Sequence, residues 1–433
     1  MKILTPLRFT LALALSPGAG LCDGGLPDPL PLATALQSAQ NPSHFELVEV
    51  EQRLQAVSAE LGIDRAQQDF RLDLNGRIRQ VGLNEIAQEI DDDGGDSAAS
   101  LILSKPLYDF GLQGSRENSY NLQLQALEQQ KLLLVQRRRL SILEKYFDVL
   151  DADNNFLAEN EALAIAFNRY DNAVEEQEFG ATAEVDVKRL QTGFEVVRRK
   201  RLLAQQHQRL TRSILAEAMG YPGQLASTLE IPAIDTGREL TNDVEALVEQ
   251  ALIHSLEARV AQANTLAAQA SIKIAESTEG PSLGLELEVS TYERVTRTRD
   301  DWRAGLYFNI PLYRGSSAAR VSQASAQYQQ ALAAQQQLQS NLRIEVLKLW
   351  QQIQQLQLEI EGNNVEREYR ELELDRARAE YELEFKTDLG DSMVSYSRSN
   401  AERLRTLYDY ELAYQRLAAL VGENFLAQTT APQ

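Results

Sequence analysis

Two hydrophobic periods divide this chain. Phe70, Leu72, Leu74, Gly76 and Ile78 alternate with Arg71, Asp73, Asn75, Arg77 and Arg79, the period of two that marks a β-strand. The same period returns where Leu283, Leu285, Leu287 and Val289 alternate with Gly284, Glu286, Glu288 and Ser290, and again where Trp302, Ala304, Leu306, Phe308 and Ile310 alternate with Arg303, Gly305, Tyr307 and Asn309. A fourth strand is predicted from about Ala98 to Lys105. Elsewhere the period is helical. After Tyr108 and after Pro311, Gly and Pro almost vanish for about seventy residues while Leu, Ala, Gln, Glu and Arg dominate. In the first of these stretches Ile142, Tyr146, Val149, Asp153, Phe156, Asn160, Leu163, Phe167, Tyr170 and Val174 fall alternately four and three apart, a coiled-coil seam with two polar interruptions. The second has Leu338, Leu342, Val346, Leu349, Ile353, Leu356 and Ile360. At ~1.5 Å per residue such a helix is a rod of roughly 105 Å, longer than any globular domain.

The remaining elements fall into order around these. An extended entry through Pro27, Pro29 and Pro31 leads to a helix predicted from about Ala33 to Asp64. A loop from Asn84 to Ser97 contains Asp91-Asp92-Asp93-Gly94. It reads as a solvated loop or a calcium loop, and the closing bidentate Glu of the latter is absent. Phe179-Gly180-Ala181-Thr182 breaks the first long helix, and a returning helix is predicted from Ala183 to Met219, stopped by Gly220-Tyr221-Pro222-Gly223. The pattern then begins again with a helix from about Val244 to Glu276, two strands around a charged loop (Thr291 to Asp301), a long helix and a returning one. Ala35 matches Ala246, Leu72 matches Leu283, Phe179 matches Phe385 and Gly220 matches Gly422, a nearly constant offset of roughly two hundred residues. The phrase Pro106-Leu107-Tyr108-Asp109-Phe110-Gly111 is echoed by Pro311-Leu312-Tyr313-Arg314-Gly315, and in both copies Pro106, Gly111, Pro311 and Gly315 are expected to turn a strand into a helix. The chain therefore divides into a leader (1–22), a first repeat (23–222), a connector (223–245), a second repeat (246–422) and a tail (423–433).

Composition narrows the function. With 63 acidic against 43 basic residues the net charge is -20, which excludes a phosphate-backbone partner, so no nucleic acid is expected. Lys2 and Arg8 before the apolar run Phe9 to Leu15, followed by Ser16-Pro17-Gly18 and small residues, read as a secretory signal cleaved near Cys22; a short buried helix is the other reading. Cys22 is the single cysteine, so no disulfide can form within the chain, and Leu21 before it disfavours lipidation. No run of eighteen apolar residues follows, so a membrane would have to be crossed by strands. Four strands cannot close a membrane barrel, because the smallest closed ones need about eight. Several chains must contribute. In that barrel Phe70, Leu72, Leu74, Leu285, Leu287, Trp302, Leu306 and Phe308 face lipid. In the alternative, a soluble periplasmic coiled-coil scaffold or adaptor, they face the dry core of a sandwich.

Catalytic chemistry has no visible owner. His44, His207 and His254 are scattered and read as ordinary helix residues, and no phosphate loop, Cys-X-X-Cys pair or nucleophile elbow is present in the sequence. The chain reads as a non-enzyme without a cofactor or metal. One segment stands apart: Phe385-Lys386-Thr387-Asp388-Leu389-Gly390-Asp391 at the second helical break. If the hairpins form the end of a tube, Asp388 and Asp391 recur around its axis as an acidic ring; the alternative is a helix cap.

Signal, duplicated helix-strand-strand-helix-helix order, repeated Pro-Leu-Tyr phrase and closing Gly220 and Gly422 together resemble the TolC-like outer-membrane efflux family, over about Ala33 to Gly422. The resemblance implies a mainly α chain with a β-barrel part. In this family arrangement each member of a homotrimer donates four strands to one twelve-stranded outer-membrane barrel and its helices to a periplasmic α-helical tunnel. It implies the exit duct of a tripartite efflux or type I secretion system, with a periplasmic adaptor, an inner-membrane pump of RND or ABC type and outer-membrane lipid as partners. Carried over by position, Asp388, Asp391 and Asp186 are candidate periplasmic gate residues, and Phe179, Gly180, Lys386 and Thr387 are candidate tip residues for adaptor docking. Gly180 and Asp186 fit the family pattern; Lys386 and Ser392-Met393 depart from it.

Overall fold

A computed structural model of the chain describes residues 26–82, 95–224, 227–238, 240–293, 300–383 and 388–422. The leader, most of the loops 84–97 and 291–301, the tip residues Phe385, Lys386 and Thr387, and the tail lie outside the described residues.

All four strands form one antiparallel sheet in the order β1 (Arg71–Arg77), β2 (Ala98–Tyr108), β3 (Ser282–Tyr292), β4 (Trp302–Asn309). The register aligns the apolar parity of every strand. Leu74, Leu101, Val289 and Trp302 form one row across the sheet, and Leu72, Leu103, Leu287 and Ala304 form the next. The opposite face carries ion pairs, Arg71 with Asp73 at 2.9 Å and Glu288 with its cross-strand partner Arg303. Gly284 on that face is required by its neighbour: a Cβ there would fall 2.1 to 2.4 Å from ring atoms of Tyr307. A sandwich reading has no second sheet among the described residues.

The helices are α1 (Leu32–Gln37), α2 (Phe45–Ala66), α3 (Leu112–Glu178), α4 (Glu184–Met219), α5 (Val244–His254), α6 (Leu256–Ser277), α7 (Ser317–Glu382) and α8 (Leu389–Val421). The two predicted first helices are each broken. Asn41 stands at φ -59 and ψ 112 before Pro42, because a proline disfavours helical backbone in the residue before it. His44 then begins α2 from outside, its Nδ1 accepting from Glu46 N at 3.4 Å, so it is a cap rather than an ordinary helix residue. Ser255 divides α5 from α6 in extended backbone, and its hydroxyl accepts from Ala258 N at 3.2 Å.

The long helix α3 holds the layer together. It packs against α2, α4, α6 and α8, whereas α7 packs against α5, α6 and α8. The short helices stack end to end along α3 and meet at Arg138, whose buried guanidinium donates to Ala39 O at 3.1 Å, to Ala218 O at 3.3 Å and to Glu46 at 3.0 Å. Beside that joint the Tyr146 hydroxyl lies 2.7 Å from Leu30 O and 2.6 Å from Glu230 O, so one fully buried side chain ties the N-terminal segment and the connector to α3. Burial pushes its phenol pKa well up, and the Leu30 and Glu230 carbonyls keep it a donor.

Candidate functional site: the hairpin tips and the open edges

The first tip closes by backbone geometry. Gly180 adopts φ 71, and Ala181 N donates to Glu176 O at 2.9 Å, a left-handed stop that glycine makes without strain. Phe179 is left 86% exposed at the apex. Asp186 lies in the first turn of α4 and pairs with Arg189 of its own helix at 3.1 Å; it is not brought to the other acids.

Asp388 and Asp391 are brought together, with a partner that sequence reasoning missed. Arg169 of α3 reaches Asp391 at 2.7 Å and Asp388 at 3.8 Å. Asp388 occupies the position before α8, yet its side chain makes no capping bond. Gly390 explains the approach: a Cβ there would stand 2.6 Å from Ile165 Cγ2, so the bare backbone lets the first turn of α8 sit on α3. Ala158, Ala162, Ile165 and Arg169 are spaced four, three and four, and this is the face of α3 that meets α8. Further up, Arg398 pairs with Glu159 at 2.9 Å and Arg416 with Glu144 at 3.0 Å, so polar contacts recur along the seam between the hairpins.

The predicted α3 seam serves a different neighbour. Phe167 and Tyr170 lie 5.8 and 5.9 Å from Phe194 of α4, Arg201 covers Phe156 at 4.9 Å, and Arg212 pairs with Asp153 at 2.6 Å. Below Leu150 the buried positions of α3 are Ala152, Ala158, Ala162 and Ala173, while Asn160 and Phe167 of the predicted seam are exposed. Small residues are buried because α3 has helices on more than one side. The α7 seam behaves as predicted from Leu342 onward, with Leu342, Val346, Leu349, Ile353, Leu356 and Ile360 all buried, whereas Leu338 is half-buried.

At the other end, the strand-to-helix turns differ between copies. β2 continues to Tyr108, so Pro106 lies within the strand rather than at its end; it pairs with Gly284, and the register shifts between Pro106 and Tyr108. A bulge accommodates the residue that has no N–H to give. The first turn proper is Asp109-Phe110-Gly111, where Asp109 accepts from Gly111 N at 3.2 Å and Gln113 N at 2.7 Å and Gly111 adopts φ 96. Pro311 does follow the end of β4, and Gly315 precedes α7. On the apolar parity Phe70, Leu72, Leu74, Leu287, Trp302, Leu306 and Phe308 are exposed and Leu285 is half-buried.

Among the described residues two margins are left open in every layer. β1 and β4 are the free edges of the sheet. Beneath them α2 and α4, each packed mainly on α3, form one flank and α7 the other. Both flanks carry a second apolar stripe turned away from the first. On α7 it is Ile344, Leu347, Leu358, Val365, Tyr369 and Leu372; on α4 it is Val185, Val196, Leu203, Leu210 and Ile214, and all of these side chains are exposed.

Comparison with known proteins follows this geometry. Residues 247–423 match the family model described as outer membrane efflux protein. No sequence among the curated proteins matches the chain. Its fold resembles that of CusC, with a TM-score of 0.73 and 17% identity over 95% of this chain and 96% of that one. It also resembles the outer membrane protein VceC from Vibrio cholerae (0.68, 19%, 91% and 96%) and the Campylobacter jejuni CmeC outer membrane channel (0.72, 15%, 90% and 85%). The second repeat thus matches the outer membrane efflux protein model, and the whole chain shares the fold of these outer membrane channels.

Proposed function

We propose that three copies of this chain close into one twelve-stranded barrel continued by a helical tunnel, and that the assembly is the passive outer-membrane duct of a tripartite efflux pump or type I secretion system. The observation that carries this reading is the pair of open margins: among the described residues the β1, α2 and α4 flank and the β4 and α7 flank of one chain each lack a neighbour in every layer. A head-to-tail contact between unlike margins generates a ring. It also removes the free sheet edges, which lipid forbids. The stripes support the same pairing. Phe194 beside Phe167 sets α4 antiparallel to α3, and α3 and α7 run in step from their turns, so Leu210 stands level with Leu358 to within about a turn.

In this reading Phe70, Leu72, Leu74, Leu285, Leu287, Trp302, Leu306 and Phe308 face lipid. Asp388 and Asp391 line the periplasmic entrance, and Arg169 holds them against α3 until the second hairpin moves. Asp186 stands at the rim of the same entrance. The tips, with Phe179, Gly180, Lys386 and Thr387, meet a periplasmic adaptor that links the duct to an inner-membrane RND or ABC pump.

The deciding measurement is the mass of the detergent-extracted protein, together with disulfide formation between Leu210→Cys and Leu358→Cys in one doubly substituted chain. A trimer with crosslinks between copies is expected. A monomer soluble without detergent would overturn the duct.

A further inference from the structure

We infer that the two free helical margins are matched by charge as well as by apolar surface: a basic rail on α4 of one copy meets an acidic rail on α7 of the next, so that only unlike margins can join. This rests on the ring of copies proposed above. Between Lys188 and Arg209, α4 carries seven lysines and arginines against one acid, Glu195. Between Glu359 and Glu382, α7 carries nine acids against four arginines.

Pairing within the chain leaves a defined remainder on each side. All four α7 arginines of this stretch are engaged by carboxylates of their own helix: Arg367 with Glu371 at 3.3 Å, Arg370 with Glu366 and Glu373 at 2.8 and 2.9 Å, Arg376 with Glu380 at 2.8 Å, and Arg378 with Asp375 at 3.2 Å. Glu359, Glu361, Glu368 and Glu382 are exposed and have no ion pair among the described residues. On α4, Arg189 pairs with Asp186, Arg198 with Glu195, and Arg201 lies over Phe156. Lys188, Arg199, Lys200 and Arg209 are exposed and have no carboxylate partner among the described residues. Four cations are left on one margin and four carboxylates on the other.

Their heights agree. With α4 antiparallel to α7 and Leu210 level with Leu358, Lys188, Lys200 and Arg209 fall level with about positions 380, 368 and 359 of α7. Glu382, Glu368 and Glu359 stand at those heights. The charges also border the apolar stripes: Arg199 and Lys200 stand four and three residues before Leu203, and Glu361 and Glu368 stand four before and three after Val365. An apolar seam bordered by opposite charges on its two helices is how a coiled coil fixes register and partner. Two α4 margins brought together would set cation against cation, and two α7 margins carboxylate against carboxylate. A two-fold dimer is thereby penalised and the head-to-tail ring selected.

The test compares the full chain in a non-ionic detergent with three variants, by the fraction of monomer after a fixed heating step. Lys200→Glu with Arg209→Glu, and separately Glu359→Lys with Glu368→Lys, are each expected to raise the monomer fraction several-fold. Helix content by circular dichroism should stay unchanged in both, because all four side chains are exposed. The chain with all four substitutions restores opposite charges across the contact and is expected to return to the monomer fraction of the unaltered protein. Monomer fractions unmoved by either reversal would overturn the rails and leave the ring standing on its apolar stripes. Loss in the fourfold variant as large as in the reversals would overturn the pairing of these positions. An unaltered protein that is monomeric before heating would remove the ring, and the rails with it.

Discussion

The two long helices are nearly equal in length, 67 residues in α3 and 66 in α7, yet they occupy unlike places. α3 is interior to the helical layer. It meets α4 through Phe156, Phe167 and Tyr170, meets α8 through Ala158, Ala162, Ile165 and Arg169, and buries residues around most of its circumference. α7 lies at the margin. It buries one clean heptad seam and leaves a second stripe, from Ile344 to Leu372, without a neighbour among the described residues. A helix inside a layer can afford alanines, because close approach on two sides supplies its contacts. A helix at a margin keeps large side chains on the free side only if something covers them, since a long exposed apolar stripe is otherwise a liability.

The largest expected effect comes from the buried seam of α7. Val346→Asp places a carboxylate at a fully buried position and should cost more than about 4 kcal/mol, abolishing cooperative folding in a thermal melt. On the free stripe the outcome should differ in kind. Leu358→Asp with Val365→Asp should leave helix content unchanged by circular dichroism but reduce the detergent-extracted species to monomer, because each charge would be buried unpaired only between copies, about 3 kcal/mol or more per site. The control is Leu157→Asp on an exposed position of α3, which should change folding stability by less than about 0.5 kcal/mol.

Smaller effects lie on the seam between the hairpins. The Arg169 pair with Asp391 is partly exposed, so Arg169→Ala should change stability by about 0–1 kcal/mol at most. Its readout is conductance in a planar bilayer: loss of the tie should raise the open fraction, and Asp388→Ala with Asp391→Ala should also weaken block by multivalent cations. Unchanged traces in both would return the aspartates to a structural role. The smallest effect concerns pH. Burial, aided by Asp409 and Asp148, holds the Asp151 carboxyl above its ordinary value, so ionisation costs the fold; that cost is absent below the unfolded value near pH ~4 and fully present above the folded one. Asp151→Asn should therefore raise the melting temperature at pH 7 and lose its advantage at pH 3.5.

Most of the architecture was legible in the residues. The strand alternation, the heptad of Leu342 to Ile360 and the glycine stops at Gly180, Gly220 and Gly422 are local signals, and each is written within one element. Breaks at Asn41-Pro42 and Ser255 were less visible because the apolar period runs on through them. The candidate gate was half legible. Asp388 and Asp391 stand at a helical break that the sequence shows, but Arg169 is more than two hundred residues away and lies in a seam of alanines that carries no hydrophobic signal.

By itself the sequence determined the periods, the duplication and the two faces of each strand, because side-chain parity and heptad spacing are properties of consecutive residues. Only the tertiary structure decided which apolar stripe is used inside the chain and which is left for a neighbour. That choice depends on where each helix sits in the layer: α3 and α7 have similar compositions, and only their position makes one of them interior and the other a margin.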